Sequence, residues 1–303
     1  MYELIIIGGG PAGMTAAVYA ARKKLDALLL SKDLGGQVLT TLGVENYMGY
    51  QFIEGAELMQ KFEEQVKQFP IEVKTGEGAV SISRLDGGFE VRTEKGDAYQ
   101  GKTAIIATGK RPRPLNVPGE EQFKGRGVTY CAICDGPLFA GMKVAVIGGG
   151  NSALEAADDM VRIGEHVYLV SLTPLTGDQV LIDKVKQAAN TTIFTEHETQ
   201  EILGDNFVSG IKIKDLKSGE VRSLEVGGVF VEIGLIPNSG LAKGLVNLNK
   251  LGEIEVNCAC ETGIPGLYAA GDVTDVPEKQ IVVAAGDGAK ATLQAHRYLQ
   301  RLS

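Results

Sequence analysis

Cys131-Ala-Ile-Cys134-Asp135 places two thiols three positions apart, with a carboxylate directly after the second. Cysteines at this spacing close into a small disulfide ring that passes two electrons to or from another dithiol. The attacking sulfur must be a thiolate, and a CxxC arrangement lowers a cysteine pKa from ~8.5 toward ~7 or below. Asp135 is the candidate acid that protonates the leaving thiolate, a duty that requires burial to raise its own pKa. Its plainer reading is a turn residue. On either side of the pair lies a glycine turn, Gly8-Gly-Gly-Pro-Ala-Gly13 upstream and Gly148-Gly-Gly-Asn-Ser-Ala153 downstream. A dithiol between two dinucleotide-type turns points to a two-electron relay that ends in the dithiol.

The competing chemistry is half of a zinc site completed by Cys258 and Cys260. Four-cysteine zinc sites use CxxC knuckles at both ends, and Cys258-Ala-Cys260 has the wrong gap. No metal is expected, and these two cysteines read as small core residues or bystanders. His166, His197 and His296 lie off the motifs and read as structural or solvated.

The elements that must position this chemistry are strand–turn–helix–strand units. Leu4 to Ile7 is an apolar run too short for a helix, as in a strand buried on both faces of a parallel sheet. Gly8, Gly10 and Gly13 follow in GxGxxG spacing, with Pro11 at the first helical position. The three glycines serve a tight turn, close approach to a pyrophosphate and close packing of helix on strand. Arg22-Lys-Lys24 suits the helix end and Ala27 to Leu30 the next strand. The second copy predicts a strand over Met142 to Ile147, a helix over Asn151 to Ile163 capped by Asn151 or Ser152, and a strand over His166 to Val170. Ala153 takes the third glycine position, which the motif allows.

Between and after the copies, residues 51–69 read as a helix with Met59, Phe62, Val66 and Phe69 on its core face. Phe89 to Thr93 and Thr103 to Ala107 read as strands. Lys110-Arg-Pro-Arg-Pro114 reads as an irregular hinge, because each proline restricts itself and the residue before it. Pro237-Asn-Ser-Gly240 reads as the return hinge after the strand-like Val229 to Gly234. Leu267 to Asp272 is a strand ending in an acid, and Ile281 to Leu302 a long helix. With no third glycine motif after residue 240, the C-terminal part completes the first domain.

Length and composition set limits. The 303 residues allow two domains, and the 40 glycines suit an α/β protein with several tight turns around phosphates. A net charge of -8 argues against a nucleic-acid partner. Apolar runs break well before the ~18 residues of a membrane span, and no leader pattern precedes the first strand, so a cytoplasmic protein without membrane association is expected.

Taken together, these residues resemble the low-molecular-weight thioredoxin reductases and the reductase half of the alkyl hydroperoxide reductase flavoprotein. The resemblance covers nearly the whole chain. It is carried by the two glycine motifs, Gly35-Gly36-Gln37, Val44-Glu-Asn46-Tyr47, Ala107-Thr108-Gly109, Cys131 to Gly136, Ala270-Gly271-Asp272-Val273 and Gln280 to Ala289. It implies FAD on the first motif, at Gly8, Gly10, Pro11, Ala12 and Gly13. Gln37 and Asn46 would face the flavin, Asp272 would take ribityl or ribose hydroxyls, and Gln280-Ile281 would lie near the isoalloxazine at a helix start, where the dipole favours the anionic reduced ring. Ser31 stands where an acid usually follows the second strand. On the family pattern Cys134 is nearer the flavin and Cys131 the more outward thiol.

The fold implied is α/β, with two Rossmann-like three-layer ββα dinucleotide-binding domains, the first discontinuous: residues 1–113 and 242–303 bind FAD, and residues 114–241 form an NAD(P)-binding-like domain carrying the dithiol. Gly148, Gly150, Asn151, Ser152 and Ala153 would hold the second nucleotide. Ser171 replaces the ribose-binding acid there and no arginine follows before Arg222, so NADH is favoured over NADPH, with Asp178 as a partial substitute for the acid. A ferredoxin or a deazaflavin is the third class of donor. The related flavoprotein carries a fused thioredoxin-like domain, whereas this chain begins at the flavin strand, so a separate thioredoxin or glutaredoxin-like protein is the expected acceptor. The resemblance also implies a homodimer. The function expected is an FAD-dependent thioredoxin reductase. Its alternatives are a reductase component of a peroxidase system and, from another class, a non-catalytic flavin redox sensor.

Overall fold

The computed structural model describes residues 1–41 and 43–302. It opens with β1 (Tyr2–Ile7), α1 (Pro11–Arg22) and β2 (Ala27–Leu30). Next come α2 (Gly55–Lys67), β3 (Glu72–Lys74), a hairpin of β4 (Ala79–Leu85) and β5 (Gly88–Thr93), then β6 (Ala98–Ile106) and β7 (Lys110–Pro112). The middle of the chain holds β8 (Val128–Thr129), the single turn α3 (Ala132–Asp135), β9 (Lys143–Ile147), α4 (Asn151–Ile163), β10 (His166–Ser171), α5 (Gln179–Gln187) and β11 (Thr191–Thr195). Three strands β12 (His197–Gly204), β13 (Val208–Asp215) and β14 (Val221–Glu225) precede β15 (Gly228–Val231) and β16 (Leu235–Pro237). The chain closes with β17 (Leu267–Ala269) and α6 (Ile281–Leu302).

In the first sheet β3, β2, β1 and β6 are parallel neighbours. The far side of β6 is shared: Ala104 to Ile106 pair with β17, and Ala98 to Gly101 pair with the antiparallel β5. The C-terminal strand therefore joins the sheet that the N-terminus begins. Residues along β1 alternate between two cores, as the strand period requires. Leu4 and Ile6 meet α1, α2 and α6 through Met14, Leu58, Met59 and Ala291, and Ile5 and Ile7 meet Ile82, Phe89 and Val273 on the other face. A fully buried side chain of this size contributes about 1.5–3 kcal/mol, so both faces select the same register. Thr292 Oγ1 donates to Ala16 O at 3.2 Å and ties α6 to α1.

The second sheet, β11-β10-β9-β15-β8, is parallel throughout. Val144 and Val146 of β9 pack under α4 with Leu154 and Met160. Ala145 and Ile147 face the antiparallel layer β12-β13-β14 through Ile211 and Ile213.

The structure departs from the sequence expectation at the connecting segments. Lys110 to Pro112 is not irregular, since β7 pairs antiparallel with β16, Lys110 opposite Pro237 and Pro112 opposite Leu235. Each proline sits at the end of a two-stranded ladder, where the missing N–H interrupts nothing. Neither Asn151 nor Ser152 caps α4, because the cap position is Gly150 and no side chain bonds there. The α2 helix is shorter than expected and begins at Gly55.

Candidate active site

The first glycine turn divides its work by position. Gly8 has φ +114°, and a Cβ there would lie 2.2 Å from Ala107 O. A Cβ at Gly13 would lie 1.7 Å from Gly8 O, so that glycine lets α1 sit on the turn. At Gly10 a Cβ meets nothing within 4 Å, and the space it faces belongs to a cavity of about 1690 Å³. That volume exceeds the ~300–1,000 Å³ of a drug-sized ligand's cleft, as a long two-part ligand requires. Pro11 and Ala12 at the head of α1 line it, offering backbone N–H groups and a positive helix end to a pyrophosphate.

The same cavity gathers most of the predicted flavin contacts: Ser31, Gly36, Gln37, Asn46, Ala107, Thr108, Gly109, Gly271, Asp272, Gln280 and Ile281 all line it. Gly35 stands behind Gly36, its N–H donating to Gly9 O at 2.8 Å. Asn46 Nδ2 donates to Gln280 Oε1 at 3.2 Å, joining the loop before α2 to the start of α6. Gln37 Nε2 reaches Asp272 Oδ2 at 3.5 Å. Burial pushes the Asp272 carboxyl above the ordinary range, against the opposing pull of the Lys279 and Lys110 charges. A glycine cradle open to the cavity, the half-buried carboxylate of Asp272 to accept hydroxyls and two helix starts form a donor set that fits FAD.

Cys131 and Cys134 line this cavity too and are joined in a disulfide, with Cα atoms 5.3 Å apart. Cys131 occupies the cap position of α3, where its Sγ accepts the Cys134 N–H at 3.2 Å. Asp135 is 2% exposed and accepts a hydrogen bond from the Thr129 hydroxyl. The same Thr129 oxygen accepts the Cys131 N–H at 3.3 Å. One threonine therefore holds both the acid and the backbone of the dithiol turn.

The second glycine turn repeats the division of labour. Gly148 has φ +146° and its Cβ would lie 2.3 Å from Glu232 O, Gly150 is open, and Ala153 packs where a third glycine stood in the first copy. This turn fits a pyrophosphate. Ser152 lines the large cavity, whereas Gly148, Gly150 and Asn151 are not among the described residues around it. Ser171 is 2% exposed and lies against Gly149, with its hydroxyl 2.3 Å from where a Cβ would stand. It presents no carboxylate to a ribose. Asn151 and Asp178 bind each other, with Asp178 N donating to Asn151 Oδ1 at 2.7 Å and Asn151 Nδ2 to Asp178 Oδ2 at 3.1 Å. Thr176 N donates to Gly149 O at 2.8 Å, folding the loop after β10 over the turn.

Several residues of the site escaped sequence reasoning. Glu232 Oε1 accepts the Ala132 N–H at 3.3 Å, and Glu232 and Glu155 line the cavity beside the dithiol. Its signal was a lone acid inside the apolar run Val229 to Ile233. Lys110 and Glu253, 8% and 6% exposed, form a buried ion pair beneath the cavity, with Lys279 Nζ 3.3 Å from the same carboxylate. Glu120 gathers the N–H groups of Leu115 and Asn116 at 2.8 Å each and the Tyr130 hydroxyl at 2.9 Å, fixing the connecting segment to the residue before Cys131. Cys258 is exposed and Cys260 buried. Among the described residues no cluster of three or more His, Cys, Asp or Glu could hold a metal, and no helix is long and apolar enough to cross a membrane.

Comparison with known proteins converges on the same chemistry. Over 305 residues the chain is 43% identical to an alkyl hydroperoxide reductase protein of Escherichia coli, covering 99% of this chain and 58% of that protein. It is 44% identical over 301 residues to a Bacillus subtilis protein named NADH dehydrogenase, covering 99% of this chain and 59% of that one. The chain thus spans about three fifths of these curated relatives. Thioredoxin reductase from Streptococcus pyogenes superposes with a TM-score of 0.94 at 38% identity, covering 99% of both chains. Residues 2–288 match the pyridine nucleotide-disulphide oxidoreductases; with a glycine cradle and a cysteine disulfide facing one cavity, the chain belongs to that family of flavin-dependent enzymes.

Proposed function

We propose that the protein is an FAD-dependent thioredoxin reductase that passes two electrons from NADH to the Cys131–Cys134 disulfide and on to the disulfide of a thioredoxin or glutaredoxin-like protein. The observation that carries this reading is the presence of Cys131 and Cys134 on the wall of the cavity that Gly10, Asp272 and Gln280 also line. FAD held there would supply the chemistry that links a hydride donor to a disulfide. Residues 1–113 and 242–303 hold it, and residues 114–241 carry the dithiol.

The chain's own groups divide the remaining work. Asp272 and Gln37 orient hydroxyls, and Asn46 and Gln280 fix the ring end. Thr129 keeps Asp135 beside the dithiol, where Asp135 gives a proton to the thiolate that leaves. Cys134 N–H stabilises negative charge on Cys131, the thiol that attacks the partner's disulfide.

NADH is the favoured donor, supported by the name of the Bacillus subtilis relative and by the lack of arginine between Ser171 and Arg222. With Ser171 turned to Gly149 and Asp178 engaged by Asn151, the ribose loses a charged partner. That loss weakens NADH about ten- to a hundredfold relative to a site with the acid. A ferredoxin or deazaflavin donor is the second reading, favoured by the same observation. A role as the reductase of a peroxidase system fits the name of the Escherichia coli relative. Anaerobic titration of the flavin band with NADH, NADPH and reduced ferredoxin, followed by turnover with thioredoxin, tests the assignment. NADH bleaching at lower concentration than NADPH supports it; a colourless protein, or no thioredoxin reduction with any donor, overturns it.

A further inference from the structure

Glu232 joins the two halves of the dithiol domain's machinery. Its backbone oxygen abuts Gly148 of the second glycine turn, and its carboxylate accepts the N–H of Ala132, one peptide unit from Cys131. It lines the cavity that Cys131 and Cys134 also line. Its charged neighbour is an acid, Glu155 of α4, which lines the same cavity together with Asp159. The cavity's cations Lys32, Lys110, Arg111 and Lys279 come from the segment after β2, from β7 and from the stretch before α6. Burial pushes the Glu232 carboxyl up to about 7, against the Ala132 N–H and with help from Glu155.

From this arrangement we propose that Glu232 is the proton partner of the reduced dithiol, sharing one proton with the Cys131 sulfur across the first turn of α3. Two electrons break the S–S bond and leave two sulfur anions, one of which takes a proton directly. The second proton then lies either on Cys131 or on Glu232, so the Cys131 thiolate persists while Glu232 is neutral and is quenched when Glu232 is charged. Two acids coupled in this way titrate as a pair with two macroscopic steps. Glu232 acts as a positioning residue that also sets when the attacking thiolate is available.

The inference rests on Cys131–Cys134 being the reacting disulfide, but its test needs neither donor nor thioredoxin. The holoprotein is reduced with a trialkylphosphine, which supplies the two electrons and becomes its oxide, water giving the oxygen and two protons. Iodoacetamide labelling of the Cys131 peptide is then followed by mass spectrometry from pH 5 to 9, which separates it from exposed Cys258. The wild-type rate is expected to rise in two steps. Glu232→Gln, which keeps an acceptor for Ala132 N–H, should rise in one step and exceed wild type about tenfold near pH 8, the effect of about one pKa unit, with the two profiles converging at low pH. Superimposable one-step profiles overturn the proposal. If the variant does not fold, ¹³C NMR titration of glutamate carboxyls in the unaltered protein decides: Glu232 should titrate at higher pH in the reduced form than in the oxidised form, and an unchanged midpoint overturns the idea. Absence of flavin or of thioredoxin turnover would sink the functional reading and leave this test standing.

Discussion

A side chain added at Gly10 or at Gly150 meets open space, whereas one at Gly8 or Gly13 collides with backbone. Neither open position has a positive φ (−76° at Gly10, −91° at Gly150), so valine at either should fold. The two variants then separate the sites. Gly10→Val should purify without the yellow flavin band, because its side chain stands where the pyrophosphate must approach, while Gly150→Val should keep FAD and lose reduction by NADH. Flavin absorbance per chain and anaerobic titration check both. At the dithiol, serine for Cys131 or Cys134 should leave flavin binding intact and stop thioredoxin reduction, and Asp135→Asn should slow it ~10²-fold, as removal of a general acid does. Full thioredoxin turnover in Cys134→Ser would end the relay reading. These residues were legible in the sequence because glycine turns and CxxC pairs are local patterns. Glu232, Lys110 and Glu253 were not, since their meaning comes from partners about 100 and 143 positions away, and no periodicity reports such a pairing.

The same division holds for the elements. Strand and helix assignments around both glycine turns needed only local apolar runs and helix signals, and α4 runs over the predicted Asn151 to Ile163. The connecting segments misled because the restriction each proline places on itself and its predecessor was read as excluding regular structure, whereas β7 and β16 form a two-stranded ladder whose edge tolerates it. That ladder is anchored from below by the Lys110–Glu253 pair. Burial alone would raise the Glu253 carboxyl, but hydrogen bonds from Lys110 and Asn249 and the Lys279 charge hold it below the ordinary range. A carboxyl lowered on folding contributes stability above its unfolded pKa, and that contribution is lost as pH falls through the folded value. Lys110→Met should therefore destabilise the protein by about 3 kcal/mol at pH 7, the low end for breaking a buried pair, because Lys279 remains as a partner. Urea titrations should show the deficit shrinking in acid, once Glu253 is protonated in both proteins. A variant as stable as wild type at neutral pH would show that the ladder needs no such anchor.

At the scale of the whole molecule, the arrangement of the two sheets decides which half-reaction is possible. The dithiol faces the cavity of the first glycine turn, while Gly148 and Gly150, the proposed nucleotide-binding glycines, are not among the described residues that line it. On the proposed function, dithiol and nucleotide turn ride on the same unit, residues 114–241, and would take turns at the flavin. The axis we propose for that exchange is the ladder of β7 and β16 with its flanking segments. Phe52 and Leu138 offer a way to stop the motion: their ring and methyl carbons lie 2.6 and 3.5 Å from one point beside Gly43, and they are 53% and 36% exposed. Cysteines at 52 and 138, joined by a short bismaleimide in the oxidised protein with Cys258→Ser, lock the present arrangement. Dithiothreitol should still bleach the flavin band through the dithiol, because that path lies inside the locked cavity. NADH-driven thioredoxin reduction should fall at least about tenfold, the mark of a conformational step made limiting, and return when the same cysteines are left unlinked. Normal turnover in the fully linked protein would mean that both partners reach the flavin without rotation.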